Sequence, residues 1–259
     1  DLDASVSVKV RAEVLAAEVL SPDREDQIAW REDRRFVARL AKYQSIPQAY
    51  QLKITERGTL DNLQLQLYSR RLPKPYEVEI RVFATGLNFR DVLNALGLYP
   101  ESALGCECVG EIVAVGAQVK DLAIGDAVVA IAPGSFSQYV TVDAAMVAAK
   151  PASLTWEAAA TVPVAFLTAY YALHNVAKIQ KGNRILIHAA AGGVGQAAIQ
   201  IAQQAGAEII ATASPTKWDT VRSLGVKHIY NSRTPDFAAE IMALTQGEGV
   251  DIVLNSSPE

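Results

Sequence analysis

An α/β fold is predicted by three features of the chain. These are a strand, glycine turn, helix and strand near residue 190, a regular alternation of strands and helices after it, and a series of short strands before it. The first is the most specific. Ile185 to Ile187 form a short apolar run, Gly192, Gly193 and Gly195 follow, and apolar residues then recur at Val194, Ala198, Ile201 and Ala205 with helical spacing before Glu208 to Thr212 resumes a strand pattern. Three glycines within four residues suit the close approach of a pyrophosphate to backbone N–H groups at a helix N-terminus. The unit is therefore predicted to be a Rossmann-type dinucleotide site, with Ala191, Gly192, Gly193, Val194 and Gly195 as its phosphate-binding backbone. Ala190 stands where G-x-G-x-x-G has its first glycine, so the flanking strand and helix carry the assignment. The competing reading is an ordinary βαβ turn.

The elements follow in chain order. Val6, Val10, Val14 and Ala17 predict a helix over 4–20, closed by Ser21-Pro22-Asp23. Asp26 to Trp30 and Arg35 to Leu40, separated by Arg31-Glu-Asp-Arg, predict a hairpin that ends at Ser45-Ile46-Pro47. Residues 1–45 thus form an appendage. From 46 to 150 the pattern becomes short alternating strands with glycine punctuation: 63–68, 77–84, 111–115, 127–131 and 136–142. Such spacing predicts a compact, partly closed β-domain, interrupted by a helix over 88–96 that carries Phe89, Val92, Leu93 and Leu96 on one face and ends at Gly97. Residues 151–259 form the nucleotide half. A helical stretch over 155–176, with Pro163 as a kink or boundary, precedes strands at 184–189, 207–213, 227–230 and 250–255. A Rossmann sheet usually has about six strands, so the sheet is incomplete at the C-terminus and the polypeptide is expected to continue past Glu259.

Half of the 259 residues are hydrophobic, enough for a sizeable core, and the net charge of -4 offers no electrostatic footprint for nucleic acid. The start lacks a basic targeting region and no apolar run reaches bilayer length, which predicts a soluble, cytoplasmic protein without a membrane partner. Cys106 and Cys108 lie two apart on a strand, point to opposite faces and are not expected to pair. With three scattered histidines, His174, His188 and His228, they give no zinc spacing, so no metal is predicted. His188, at a strand end, reads as a core or supporting histidine rather than a catalytic base.

The end of the second nucleotide strand bears on the cofactor. NAD enzymes usually place a carboxylate there for the ribose hydroxyls. Here the chain reads Ala213-Ser214-Pro215-Thr216-Lys217, with Arg233 after the next apolar run. Ser214, Lys217 and Arg233 suit the extra phosphate of NADPH through charge-assisted hydrogen bonds. The other reading leaves Lys217 on a solvated helix face and Arg233 in a surface loop.

The ordered motifs Gly86-Leu-Asn-Phe-Arg-Asp-Val, Leu96-Gly-Leu-Tyr-Pro, Gly105-Cys-Glu-Cys-Val-Gly-Glu, Gly125-Asp, Phe166-Leu-Thr-Ala-Tyr-Tyr and Ala189-Ala-Ala-Gly-Gly-Val-Gly resemble the medium-chain dehydrogenase/reductase superfamily. Within it, the chain most resembles the quinone-reductase-like enoyl reductase domains of modular polyketide synthases, and residues 1–45 resemble the linker that precedes them. The resemblance implies a GroES-like β-barrel substrate domain joined to the Rossmann sheet. It also implies NADPH-dependent reduction of an α,β-unsaturated thioester on the phosphopantetheine arm of an acyl carrier protein, among neighbouring synthase domains. Asn88 falls where the zinc-dependent branch has a Cys, and Gly105-Cys106-Glu107 falls where that branch has Gly-His-Glu, so the resemblance is to zinc-independent members. Cys106 then reads as a buried small residue and Glu107 as a structural carboxylate. Tyr99 matches a tyrosine linked to α-carbon protonation, Asn88 a position lining the nicotinamide, and Thr168 one on the helix beside the cofactor. Each also has a structural reading, Tyr99 as a loop anchor and Asn88 and Thr168 as cap or packing groups. The family's lysine and aspartate follow the fourth Rossmann strand, beyond this sequence. Alternative activities are reductive cyclopropane formation on a halogenated enoyl thioester, free quinone reduction, and a non-catalytic role in a synthase.

Overall fold

The computed structural model describes residues 7–20, 25, 27–31, 34–37 and 49–255. Contacts divide the chain into two compact units, Asp1–Pro47 and Gln48–Glu259. In the first, helix α1 (Val8–Val19) is capped by Ser7, whose Oγ accepts from the Val10 N–H at 3.4 Å. Strands β1 (Ile28–Arg31) and β2 (Arg34–Val37) form an antiparallel hairpin with Trp30 opposite Arg35. The predicted positions Val6, Asp26 and 38–40 lie outside the described residues. No side chain of α1 is buried. The unit is instead tied together by Glu18, which accepts from Trp30 Nε1 at 3.1 Å and from Arg35 Nε and Nη2 at 2.6 and 3.1 Å. The hydrogen bonds from Arg35 hold the Glu18 carboxyl below its usual pKa.

The second unit opens with an antiparallel pair, β3 (Ala49–Ile54) and β4 (Leu63–Tyr68). A five-stranded antiparallel sheet follows: β5 (Glu77–Thr85), β6 (Glu107–Val115), β7 (Ala127–Ile131), β8 (Tyr139–Asp143) and β9 (Val147–Ala149), in the order β8-β5-β6-β7-β9. Helix α2 (Phe89–Ala95) leaves β5. Alternation along the strands sends Val78, Ile80, Cys108, Ile112, Val128, Ala130, Val140 and Val142 into one core.

Two differences from the sequence reading have physical causes, and one alternative left open there is resolved. The strand expected at 111–115 begins at Glu107, because Gly110 lies inside it; a Cβ there would meet the Arg81 carbonyl oxygen at 2.0 Å, so this glycine permits strand pairing and does not break it. The strand expected from Phe136 begins at Tyr139, because residues 136–138 bond instead to β3, with Leu52 N–H on the Phe136 carbonyl and Gln138 N–H on the Tyr50 carbonyl. Pro163 is a boundary: α3 (Trp156–Ala160) stops before it, and α4 (Pro163–Tyr170) has it at the first helical position, where its missing N–H costs nothing. A π-helical turn, Tyr171–Val176, extends α4 and buries Leu173.

The parallel sheet contains β10 (Arg184–Ile187), β11 (Glu208–Ala213), β12 (His228–Asn231) and β13 (Ile252–Leu254), in the order β12-β11-β10-β13. Helices α5 (Gly193–Ala205), α6 (Trp218–Ser223) and α7 (Phe237–Leu244) connect them. Side-chain alternation puts Ile185 and Ile187 on one face, against Ala198, Ile199, Ala202 and Val221, and Leu186 on the other, against Ile241. Helices thus cover both faces, and the strand order reverses direction next to β10, which is where such sheets bind ligands.

Candidate active site

At the C-terminal ends of β10, β11 and β13 lies a cavity of about 460 Å³. Its wall includes Ala191 and Gly192 of the glycine turn, Ser214, Lys217, Arg233 and Asn255. Among the described residues two cations line it and no carboxylate does. The turn is built by close packing: Gly192 caps α5 in an extended conformation and its N–H donates to the Ala189 carbonyl at 2.8 Å. A Cβ on Gly195 would lie 2.5 Å from the Ala189 oxygen and 2.6 Å from Ala190 Cα, so only glycine lets α5 approach the end of β10. The first N–H groups of α5 have no intrahelical acceptor and carry the positive end of the helix dipole. Ala189, at φ 49°, takes the left-handed position and Ala190 is fully buried. Backbone donors, room for a pyrophosphate and two cations without a facing carboxylate fit a phosphorylated dinucleotide.

Of the predicted nucleotide residues, this cavity gathers Ala191, Gly192, Ser214, Lys217 and Arg233. Gly193, Val194 and the buried Gly195 form the first turn of α5. Sequence reasoning missed Asn255, which sits where β13 ends, although the rule that ligands gather at strand C-termini points to it. His188 also lines the cavity, its Nδ1 2.8 Å from the buried Thr212 Oγ1 and its ring edge-on to Phe237 at 5.4 Å. Burial lowers its pKa and favours the neutral ring.

The second cluster is built on the β-domain. Asn88 caps α2, with its N–H donating to Asp91 Oδ2 at 3.0 Å. The helix ends in a Schellman turn: Gly97, at φ 75°, donates to the Asn94 carbonyl and Leu98 to the Leu93 carbonyl. This aims the chain into the loop that carries Tyr99, a residue 40% exposed. Arg57 clamps the loop, with Nε on the Asn94 carbonyl at 2.8 Å and Nη2 on the Tyr99 carbonyl. The Asn88 amide donates to Glu107 Oε1 at 2.8 Å, and Glu107 Oε2 accepts from the Val164 N–H in the first turn of α4 at 2.7 Å. Thr168, exposed, follows one turn later on the same face of α4. The neighbouring Ala165 Cβ lies 3.9 Å from where a Cβ of Gly193 would stand, so α4 touches both the carboxylate and the start of α5.

Cys106 and Cys108 are both buried and free. Burial raises both thiols, Cys108 to about 12. Cys106 Sγ lies 3.7 Å from Asp91 Oδ1 and accepts from Arg90, while both Glu107 oxygens are occupied. This donor set does not fit zinc, which needs several ligands converging on one point. Among the described residues no group of three His, Cys, Asp or Glu side chains could hold a metal, and no helix is long and apolar enough to cross a membrane.

Two family models match: alcohol dehydrogenase GroES-like domain over residues 74–153 and zinc-binding dehydrogenase over 193–259. The phthioceranic/hydroxyphthioceranic acid synthase of Mycobacterium tuberculosis is 40% identical over 97% of this chain, which spans only 13% of that protein. The crystal structure of CurK enoyl reductase is 54% identical with a TM-score of 0.79, covering 82% of this chain and 68% of that one. The CurF ER cyclopropanase from the curacin A biosynthetic pathway is 45% identical, with a TM-score of 0.76 over 82% and 68%. Escherichia coli quinone oxidoreductase complexed with NADPH is 32% identical, with a TM-score of 0.74 over 81% and 67%. The class is therefore an oxidoreductase built from a GroES-like domain and a Rossmann-like parallel sheet. The chain belongs to the medium-chain dehydrogenase/reductase superfamily, among the enoyl reductase domains of polyketide synthases.

Proposed function

We propose that this chain forms the cofactor and substrate surfaces of an NADPH-dependent enoyl reductase. Its substrate is the α,β-unsaturated thioester carried by the phosphopantetheine arm of an acyl carrier protein, within a synthase whose other domains are its neighbours. Residues 46–150 are the substrate domain, 151–259 the nucleotide domain and 1–45 the preceding linker.

The observation that carries the reading is the cavity with Lys217 and Arg233 in its wall and no carboxylate among the described residues. An NAD ribose is usually met by a carboxylate at the end of β11, where Ser214 stands instead. Lys217, Arg233 and the Ser214 hydroxyl are donors suited to a 2′-phosphate. Free N–H groups of Gly193, Val194 and Gly195, with Ala191 and Gly192 leading into them, hold the pyrophosphate. Bound NADPH supplies hydride to the β-carbon. As that bond forms, the α,β π-electrons move onto the thioester as an enolate, and Tyr99 O–H delivers a proton to the α-carbon. Asn88 and Thr168 line the nicotinamide, one from each side of the Glu107 bridge.

The test mixes the full natural polypeptide with NADPH and a crotonyl thioester and follows the absorbance of reduced cofactor. One NADPH is consumed for each saturated thioester formed. NADPH binding without consumption would overturn the proposal.

A further inference from the structure

We infer that His188 is a further binding residue of the nucleotide cavity: its ring, held in one neutral tautomer by Thr212, donates Nε2–H to an acceptor oxygen of the pyrophosphate–ribose backbone. The inference rests on the proposed reading of that cavity as a dinucleotide site.

The tautomer follows from Thr212. This residue is 1% exposed, and its hydroxyl proton needs an acceptor. Among the described residues the partner of that hydroxyl is His188 Nδ1, at 2.8 Å. A ring nitrogen that accepts carries no proton, so in the neutral imidazole the proton sits on Nε2. Turning the ring over would set a carbon against the hydroxyl and leave it unpaired, so the same contact fixes which way the ring faces.

The second nitrogen then has one direction left. The His188 backbone N–H is taken by the Leu254 carbonyl at 2.9 Å, and Phe237 of α7 meets the ring edge-on at 5.4 Å. Among the described residues Nε2 has no partner, yet the buried polar side-chain atoms without one are Arg11 Nε and Asn94 Oδ1. Nε2 therefore reaches open space, and the open space that His188 lines is the nucleotide cavity. The place of His188 in the sheet selects the part of the ligand. In the order β12-β11-β10-β13, Arg233 comes after β12, Ser214 and Lys217 after β11, and His188 after β10, just before Ala191 and Gly192. The two cations thus stand toward the 2′-phosphate, and His188 beside the pyrophosphate turn, a part that NADPH and NADH share. The ionisable groups that line the cavity with this ring are those two cations, while β11 presents Thr212, α7 presents Phe237 and Asn255 follows β13. Burial alone lowers the His188 pKa from 6.5, so the neutral donor persists at about pH 7 and above.

The test is titration calorimetry of the full natural polypeptide with NADPH and with NADH. His188→Phe should weaken both about three- to tenfold, the range of one lost neutral hydrogen bond. Because the donor is neutral, the ratio of variant to unaltered Kd should stay constant between about pH 7 and 9. Thr212→Val replaces the hydroxyl by a methyl group of the same shape and frees the ring, which should weaken both cofactors about two- to threefold. In the His188→Phe background the same change should add less than about 1.5-fold, because Thr212 acts through the ring. His188→Gln keeps an N–H donor near the Nε2 position and should bind each cofactor at least about twofold more tightly than His188→Phe. The Thr212→Val and His188→Gln arms read the same contact should His188→Phe fold poorly.

Unchanged binding in His188→Phe, a loss confined to NADPH, a loss that fades as pH rises from about 7 to 9, or additive losses in the double variant would each overturn the inference. Failure of the unaltered protein to bind either cofactor would overturn the dinucleotide reading itself, whereas binding indifferent to position 188 would overturn only the role of His188.

Discussion

The nucleotide cavity and the Asn88–Glu107–Val164 bridge achieve close positioning by opposite means. At the cavity, the decisive feature is a missing side chain: Gly195 lets α5 pack within contact of Ala189 and Ala190, a few residues away in sequence. At the bridge, a buried charge joins residues 19 and 57 positions apart. The first arrangement exposes backbone donors, which any pyrophosphate can use. The second fixes side-chain atoms, which only a particular reaction needs. The glycine turn is therefore built locally, whereas the geometry proposed for chemistry depends on the tertiary fold.

The largest effect should come from filling the nucleotide turn. Gly195→Val drives side-chain atoms into backbone that cannot retreat and should cost about 3 kcal/mol or more, whereas Gly193→Ala, with its nearest neighbour at 3.9 Å, should stay within about 0.5 kcal/mol in urea unfolding. Equal losses would show that the turn tolerates or rejects side chains for some reason other than this contact. Gly86→Ala should cost less, about 1–2 kcal/mol, because it meets the end of a side chain, yet it should reduce turnover by displacing the Glu107 carboxylate.

Next comes the cation pair. Lys217→Ala and Arg233→Ala should each weaken NADPH binding about tenfold, close to 1.4 kcal/mol, and leave NADH nearly unchanged by titration calorimetry. Equal loss for both cofactors would place these cations away from the 2′-phosphate.

A smaller effect concerns His188. Its folded pKa is lowered by burial below the usual value of 6.5. The unfolded chain therefore takes up its proton first as pH falls, so the stabilisation from the neutral ring is complete above about pH 6.5 and is lost as pH drops toward the folded pKa. Melting temperatures between about pH 5 and 7.5 should show this slope, and His188→Gln should flatten it. Smallest in consequence is Cys108: with its pKa pushed up to about 12, it should resist iodoacetamide at about pH 8 until the protein is unfolded. Rapid labelling of the folded protein would contradict its burial.

The parallel half was legible because its signals are local. Apolar runs, three glycines and a helical period lie within about thirty residues, whereas the order β12-β11-β10-β13 came from the structure. The β-domain was less so. The strand at 63–68 was evident from alternation, but β3 takes a second partner in residues 136–138, β9 is defined by pairing with β7, and Gly110 resembled a break until its approach to Arg81 was visible. At the site, Ser214, Lys217 and Arg233 could be anticipated because they follow strand ends by rule, whereas Arg57 gave no signal: its role is to hold the backbone carbonyls of Asn94 and Tyr99, and any exposed arginine has the same appearance in sequence.

The sequence by itself determined the nucleotide unit, the absence of a ligand spacing for zinc and the family, since each is written in residue types at fixed local intervals. Only the tertiary structure decided that Glu107, which in sequence reads as one structural carboxylate among many, bridges Asn88 to α4. The physical reason is that a hydrogen bond requires an approach near 3 Å, and residues 88, 107 and 164 reach it only after two strands and two helices have packed.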